Sequence, residues 1–155
     1  MSAGLLPLVL FAPVLVYAGL SDLRQMRIPN WTSLAAIALF VVTIPLVGLS
    51  EAGWLALFAA AIFGIGVALW AFRLFGAGDV KLLSALVLLV PSAHLATFWN
   101  LFAASLLVGI ACVTGLRAIP AMRETGWVSM RAARHFPMGI SIALAGLSTP
   151  FVLSL

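Results

Sequence analysis

The chain has 155 residues, of which 65% are hydrophobic and 8% are charged. Soluble domains carry about 25% charged residues, so this composition excludes an ordinary soluble protein and indicates an all-α, polytopic integral membrane protein. The formal charge of +4 does not indicate nucleic-acid binding, because eight basic residues in so apolar a chain serve better as signals of membrane orientation.

Six apolar segments approach the roughly 20 residues that a helix needs to cross the bilayer core. The predicted spans are Gly4 to Leu20, Trp31 to Leu49, Ala52 to Phe72, a fourth that begins at Asp79, a fifth that ends near Leu116, and Phe136 to Leu155. No Lys or Arg precedes the first apolar run, which favours a retained span over a cleaved leader. Together the spans predict one membrane-embedded domain over residues 1–155.

The connections between the spans contain residues typical of turns. Asn30 is predicted to cap the second helix, and residues 50–54 are predicted to form the turn before the third. A turn at residues 91–94 leaves a fourth helix of about 13 residues, or roughly 20 Å, against a hydrocarbon core of roughly 30 Å. One end of that helix is therefore expected below the membrane surface.

The basic residues predict the orientation. All eight lie in, or directly beside, the first, third and fifth loops, and they are Arg24, Arg27, Arg73, Lys81, Arg117, Arg123, Arg131 and Arg134. Because Lys and Arg concentrate in cytoplasmic loops, both termini are predicted to lie outside. The fifth loop, with Trp127 and Met130, is interpreted either as a segment on anionic lipid or as a plain retention signal.

Small residues and the one cysteine are interpreted as packing elements. Cys112 excludes a disulfide within the chain and a multi-cysteine zinc site, and it is interpreted as a small buried hydrophobic residue. Four glycines in apolar segments are expected to allow close helix packing, and they are Gly64, Gly66, Gly109 and Gly115.

A glycine-rich turn delivers an acid into a membrane-length segment at Gly76-Ala77-Gly78-Asp79. The glycines lack a Cβ, so the backbone there can adopt positive φ and come close to another chain. Asp79 falls where a helix should begin, and its simplest interpretation is an N-cap.

A second acid, Asp22, follows the first span on the same predicted side and at about the same depth. Of the other acids, Glu51 lies on the far face and Glu124 in the fifth loop. Two close carboxylates tend to share a proton, so one can activate a water while the other polarises a peptide carbonyl. The pair predicts an aspartic protease. The alternative is a small proton- or cation-coupled transporter or a non-catalytic assembly subunit, because acids in membranes also mark such pathways.

The chain resembles the type IV prepilin peptidases, membrane aspartyl proteases with a GxGD motif. The resemblance rests on residues 76–83, on Asp22 with the basic residues and Ile28-Pro29-Asn30 that follow it, and on residues 136–143, where a Tyr or Phe is common in place of Met138. It implies Asp22 and Asp79 as catalytic residues. It further implies substrate-binding or site-shaping roles for Gly76, Gly78, Lys81, Pro137 and Gly139, although Lys81 is also typical of a side chain that extends to lipid phosphate.

The resemblance implies an inner-membrane enzyme that removes the short basic leader of prepilins and pseudopilins at the cytoplasmic face. Prepilin substrates and membrane lipids are the expected partners, and no cofactor or metal is expected. The chain has a single cysteine and begins almost directly with a span. The bifunctional prepilin peptidases add an N-terminal cytoplasmic region with paired cysteines and N-methyltransferase activity. The chain therefore looks like the short, peptidase-only form associated with tight-adherence (Flp-type) pili, without N-methyltransferase activity.

Overall fold

The computed structural model describes residues 3–119, 121–122, 125–131 and 136–154. These residues form helices and connecting turns, with no strand among them, which confirms the all-α fold. The helices are α1 (Leu6–Leu10), α2 (Ala12–Gln25), α3 (Asn30–Val47), α4 (Leu49–Ala71), α5 (Ala77–Val87), α6 (Leu95–Ala118), α7 (Val128–Arg131) and α8 (Met138–Val152). Short 3-10 helices cover Ala3–Leu5 and Ser92–His94.

Several of these helices have the length and apolarity of membrane spans. Within the described part of the chain, three stretches are long and apolar enough to cross a bilayer: Asn30–Val47, Leu49–Ala71 and Ser92–Ala118. Met138–Val152 is a shorter apolar helix. The predicted first span is interrupted at Phe11, one residue before α2 begins and two before Pro13, whose ring cannot continue a helical hydrogen-bond ladder.

The short helix α5 lies at the centre of the bundle. It has eleven residues, about 16 Å of helix, so the expected shortness of this element is confirmed. All residues from Leu82 to Val87 are buried, because α3, α4 and α8 all pack against it. A second group of helices, α2, α6 and α8, packs together beside it.

Two predicted turn features are wrong. Residues 50–54 lie inside α4, and the turn before this helix is made by Gly48, whose φ of 86° favours glycine. Asn30 is the first residue of α3 rather than its cap, because the extended Pro29 occupies the N-cap position. The Asn30 side chain instead accepts a hydrogen bond from Lys81 Nζ at 3.0 Å.

The small residues follow the packing prediction only in part. Gly66 approaches Val80, and Gly109 approaches Ser141, so closely that a Cβ at either position would lie 2.5 Å from the neighbouring side chain. Gly64 and Gly115 have nothing within 4 Å of such a Cβ. Cys112 is exposed on α6, so its predicted burial is wrong. Hydropathy alone does not say which face of an apolar helix points inward.

The fifth loop packs onto the bundle. Ser129 Oγ donates to the carbonyl oxygen of Leu23, and Arg117 Nε donates to the carbonyl oxygen of Ser129 at 2.9 Å. The Arg24 guanidinium lies 5.8 Å from the centre of the Trp127 ring. Met130 is buried, which corrects the expectation that it contributes to a surface on lipid. Arg123, Glu124 and Arg134 lie outside the described residues.

Candidate active site

Asp22 lies in the last turn of α2 and is only 5% exposed. The helix ends soon afterwards because Met26 adopts the left-handed conformation, and its N–H donates to the Asp22 carbonyl oxygen at 2.8 Å. The Asp22 side chain points to the start of α8, where Gly139 N–H donates to Oδ2 at 2.7 Å. The first N–H groups of a helix have no partner within it, so this helix start is a natural position for a carboxylate.

Glycine at position 139 is required by this contact. A Cβ there would lie 2.7 Å from Asp22 Cβ and 2.9 Å from Oδ2. Buried Pro137 is the N-cap of α8, two residues before the donating amide. The structure therefore brings both of these predicted site-shaping residues to Asp22, one by direct contact and one by starting the helix.

Asp79 lies near the start of α5, but it is the third helical residue and Gly76 is the N-cap. The interpretation of Asp79 as an N-cap is therefore wrong. Its carboxylate turns back to the Gly76 amide, as an acid at this helical position commonly does. Asp79 Oδ1 is buried and has no hydrogen-bond partner among the described residues. A buried oxygen without a partner lowers the stability of the folded state by about 1–3 kcal/mol, and a hydrogen bond from a reactant or a water could offset this loss.

Both glycines of the turn act through the missing Cβ rather than through positive φ. Gly76 has a φ of −76°, and within the described ranges Gly48 is the one glycine with positive φ, so that expectation is wrong. A Cβ at Gly76 would lie 2.5 Å from Asp79 Oδ2, and one at Gly78 would lie 3.1 Å from Ile28 Cβ. The close approach is thus to the first loop and to the acid itself.

The two acids meet at the boundary between two cavities and line both of them. The polar cavity, of about 470 Å³, is bordered by α2 and the first loop, with Ser21, Gln25 and Arg27 in its wall. The second cavity, of about 740 Å³, is called the apolar cavity because most of its lining is apolar, although Arg73 also lines it. Trp70 and Phe75 lie on one side, and the other side is formed by Leu106, Ile110, Phe136 and Met138. Asp22 lies on α2, which packs with α6 and α8, and Asp79 lies on α5, which packs with α3 and α4. The site therefore lies between these two sets of helices.

Lys81 lies apart from this site. It borders neither acid cavity, and its Nζ contacts Asn30 on α3. Conversely, Tyr17, Ser21 and Gln25 line the polar cavity without having been predicted. Their spacing of four residues places them on one face of α2, beside Asp22, so helical periodicity counted from that acid could have found them.

The described residues offer carboxylates and backbone amides here rather than a metal-ligand cluster. No group of three or more His, Cys, Asp or Glu within the described ranges is placed to hold a metal ion. His94 lies in the 3-10 helix that also holds Ser92, at the end of the bundle where Glu51 lies. His135 lies outside the described residues. Among the described residues, Asp22 and Asp79 are the two titratable side chains that line both cavities.

Comparison with known proteins gives one match. The sequence model of the type IV leader peptidase family matches residues 9–113, more than half of the chain, and this range includes both acids. No curated protein and no solved structure is detectably similar to the chain.

Proposed function

Because the chain belongs to the type IV leader peptidase family, we propose that it removes the leader of type IV prepilins and pseudopilins as an aspartic endopeptidase, with Asp22 and Asp79 as its catalytic pair. The observation that carries this proposal is that both carboxylates line the same two cavities. The remaining described acid, Glu51, lies at the other end of the bundle.

In the proposed reaction a water lies between the two carboxyl groups. One carboxylate takes a proton from this water, which attacks the peptide carbonyl, while the other carboxyl is protonated and donates a hydrogen bond to the carbonyl oxygen. The peptide C–N bond of the tetrahedral intermediate then breaks, and the leaving amine takes the proton that the first carboxyl accepted from the water. The unpartnered Asp79 Oδ1 leaves an oxygen available for one of these roles. The Gly139 amide holds Asp22 in a fixed orientation and leaves its other oxygen available.

The two cavities suggest how a prepilin would lie across the pair. The polar cavity suits the polar leader, and the apolar cavity suits the apolar segment that follows the cut. Helices α4 and α6, which contribute Trp70 and Ile110 to the apolar cavity, make little contact with each other in the described structure. We therefore place the transmembrane part of the substrate beside this gap.

We propose that the acid end faces the cytoplasm of an inner-membrane protein. Arg24, Lys81 and Arg117 all lie at this end, and positive residues concentrate on the cytoplasmic side. Reporters fused after Gln25 and in the loop at Arg73 should be cytoplasmic, and reporters at Glu51 and after Leu155 should be outside. A cytoplasmic reporter after Leu155 would contradict this topology.

We also propose that these 155 residues act as a peptidase alone. Paired cysteines accompany N-methyl transfer in the bifunctional enzymes that the chain resembles, and here Cys112 is the single cysteine. Mass spectrometry of a pilin cleaved by this enzyme alone should show an unmodified N-terminus. A product that carries one added methyl group would refute this part of the proposal.

The central test is leader removal from candidate prepilins that are co-expressed with the enzyme. The wild type should shorten its substrate, and Asp22→Asn or Asp79→Asn should leave it uncut while expressing and folding normally. Glu51→Gln is the matched control, because it neutralises an acid at the other end of the bundle. Cleavage at close to the wild-type rate by either Asn variant would contradict the proposed mechanism and favour a role in transport or assembly.

A further inference from the structure

A third cavity opens on the outside of the bundle between α3, α4 and α5, with a volume of about 520 Å³. Its lining includes three alanines, Ala59, Ala60 and Ala85, beside larger apolar side chains. Leu34, Ile37 and Phe63, which also line it, are exposed at the surface of the described structure. On a helix that crosses a membrane, such side chains contact lipid. We call this cavity the α3–α5 groove.

One end of the α3–α5 groove carries a cation. Lys81 Nζ donates one hydrogen bond to Asn30 Oδ1 at 3.0 Å, and both residues line the groove. An ammonium group has three donors, so two remain. Lys81 forms no ion pair within the described part of the chain, where Glu51 already bonds Ser92 and the two aspartates line the other cavities.

A buried hydroxyl group lies one helical turn further along α3. Ser33 also lines the groove, is only 7% exposed, and its Oγ has no hydrogen-bond partner among the described residues. It follows Asn30 by three residues, or about 4.5 Å along the helix axis. A buried hydroxyl without a partner is unfavourable, so this position favours a ligand that brings a polar atom to that depth.

We propose that the α3–α5 groove binds one anionic phospholipid. The phosphate contacts Lys81 and Asn30, an ester carbonyl of the glycerol accepts a hydrogen bond from the Ser33 hydroxyl, and an acyl chain lies along the alanines. The order of groups in a phospholipid, phosphate then ester then hydrocarbon, matches the order of groups along the groove.

Native mass spectrometry of the intact, detergent-purified protein titrated with phosphatidylglycerol tests this proposal. The wild type should retain one tightly bound lipid. Lys81→Met should weaken this binding about tenfold, the effect expected from loss of a charge-assisted hydrogen bond, and Lys81→Arg should largely preserve it. Ser33→Ala should weaken binding less. Ala60→Phe should fill the groove and abolish binding, whereas Ala61→Phe, on the neighbouring exposed position outside the groove, should not.

Two further probes identify which parts of the lipid are recognised. Diacylglycerol lacks the phosphate and glycerol phosphate lacks the acyl chains, so each should bind much more weakly than phosphatidylglycerol. The proposal is wrong if glycerol phosphate competes as well as the whole lipid, or if Arg131→Met, which removes an exposed cation outside the groove, lowers binding as much as Lys81→Met. It is also wrong if Ala60→Phe keeps the lipid and blocks prepilin cleavage, since the groove would then take peptide. Thermal unfolding of each variant shows whether it is folded.

Discussion

The two ends of the bundle use carboxyl groups in opposite ways. Glu51 accepts hydrogen bonds with both of its oxygens, from Ser92 N–H at 2.7 Å and from Ser92 Oγ at 2.8 Å. At the other end Asp22 accepts one bond from Gly139, and Asp79 keeps one oxygen without any described partner. Glu51 joins α4 to the segment before α6, whereas the aspartates keep bonding capacity for something outside the protein. A carboxylate that lines a cavity and has an oxygen without a hydrogen-bond partner is therefore a better candidate for a catalytic group than a fully bonded carboxylate such as Glu51.

Backbone packing around the acids differs in the same way. A Cβ added at Gly76 or Gly139 would lie within 3 Å of an aspartate side chain. A Cβ added at Gly53, two residues after Glu51, would have nothing within 4 Å. The positions of the two aspartates therefore require glycines beside them, whereas no glycine is required beside Glu51, although the Ser92 main-chain N–H contacts it.

The largest expected effect comes from neutralising the pair. Asp22→Asn and Asp79→Asn should each lower the rate of leader removal by roughly 10⁴-fold, the scale seen when one member of a catalytic unit is lost. The double variant should be hardly slower than either single variant, because residues that act as a unit give non-additive losses. The rates are measured with purified enzyme and prepilin in detergent. Additive losses would show that the two acids act independently, and a nearly silent Asp79→Asn would show that the negative charge of Asp79 is not needed for cleavage.

A smaller effect should follow from displacing the acids without removing them. Gly76→Ala and Gly139→Ala should each lower the cleavage rate by about 10²-fold, since a shift on the order of 1 Å in catalytic geometry costs that much. Gly53→Ala should leave the rate unchanged. Circular dichroism of each purified variant separates displacement of the acids from unfolding. Normal cleavage by a folded Gly139→Ala protein would mean that the amide contact with Asp22 is dispensable.

The smallest effect is expected from a substitution at Glu51, which should change the stability of the protein but not its cleavage rate. Glu51→Ala removes two hydrogen bonds at a partly exposed position and should lower the free energy of unfolding by about 1 kcal/mol. The cleavage rate per folded molecule should not change. Thermal unfolding in detergent and the cleavage assay measure the two quantities. A lower cleavage rate in fully folded Glu51→Ala protein would remove the distinction between the two ends.

The sequence predicted those features of the site that short motifs encode. Asp22, Asp79 and the two turn glycines could be identified because an acid beside a helix end in a strongly apolar chain is unusual enough to stand out. The helical fold and the short α5 followed from hydropathy and from the turn-forming residues after Val90. The catalytic roles of the two acids stay a prediction, to be decided by the cleavage experiments.

Features that depend on contacts between distant segments could not be predicted. A glycine in a sequence indicates either positive φ or a close neighbour, and only the position of Ile28 shows which applies at Gly78. Asn30 is a residue type that is common at the N-cap, but Pro29 occupies the N-cap position of α3. The side-chain amide oxygen of Asn30 instead accepts a hydrogen bond from Lys81. The direction of Lys81, away from the acids, depends on the rotation of α5 within the bundle, which hydropathy does not fix in a helix buried on nearly all sides.

The contact between Asp22 and Gly139 has a consequence for biosynthesis. It joins residues 117 positions apart, a length that a ribosome takes roughly 6 to 23 seconds to produce at about 5 to 20 residues per second. A nascent chain therefore contains both acids before it contains the amide that orients the first of them. The site is completed only when α8 has docked, so a partly synthesised or truncated chain that lacks this helix carries the acids without their working geometry. Under the proposed mechanism, the chain becomes able to cleave its substrate only after the last described helix is in place.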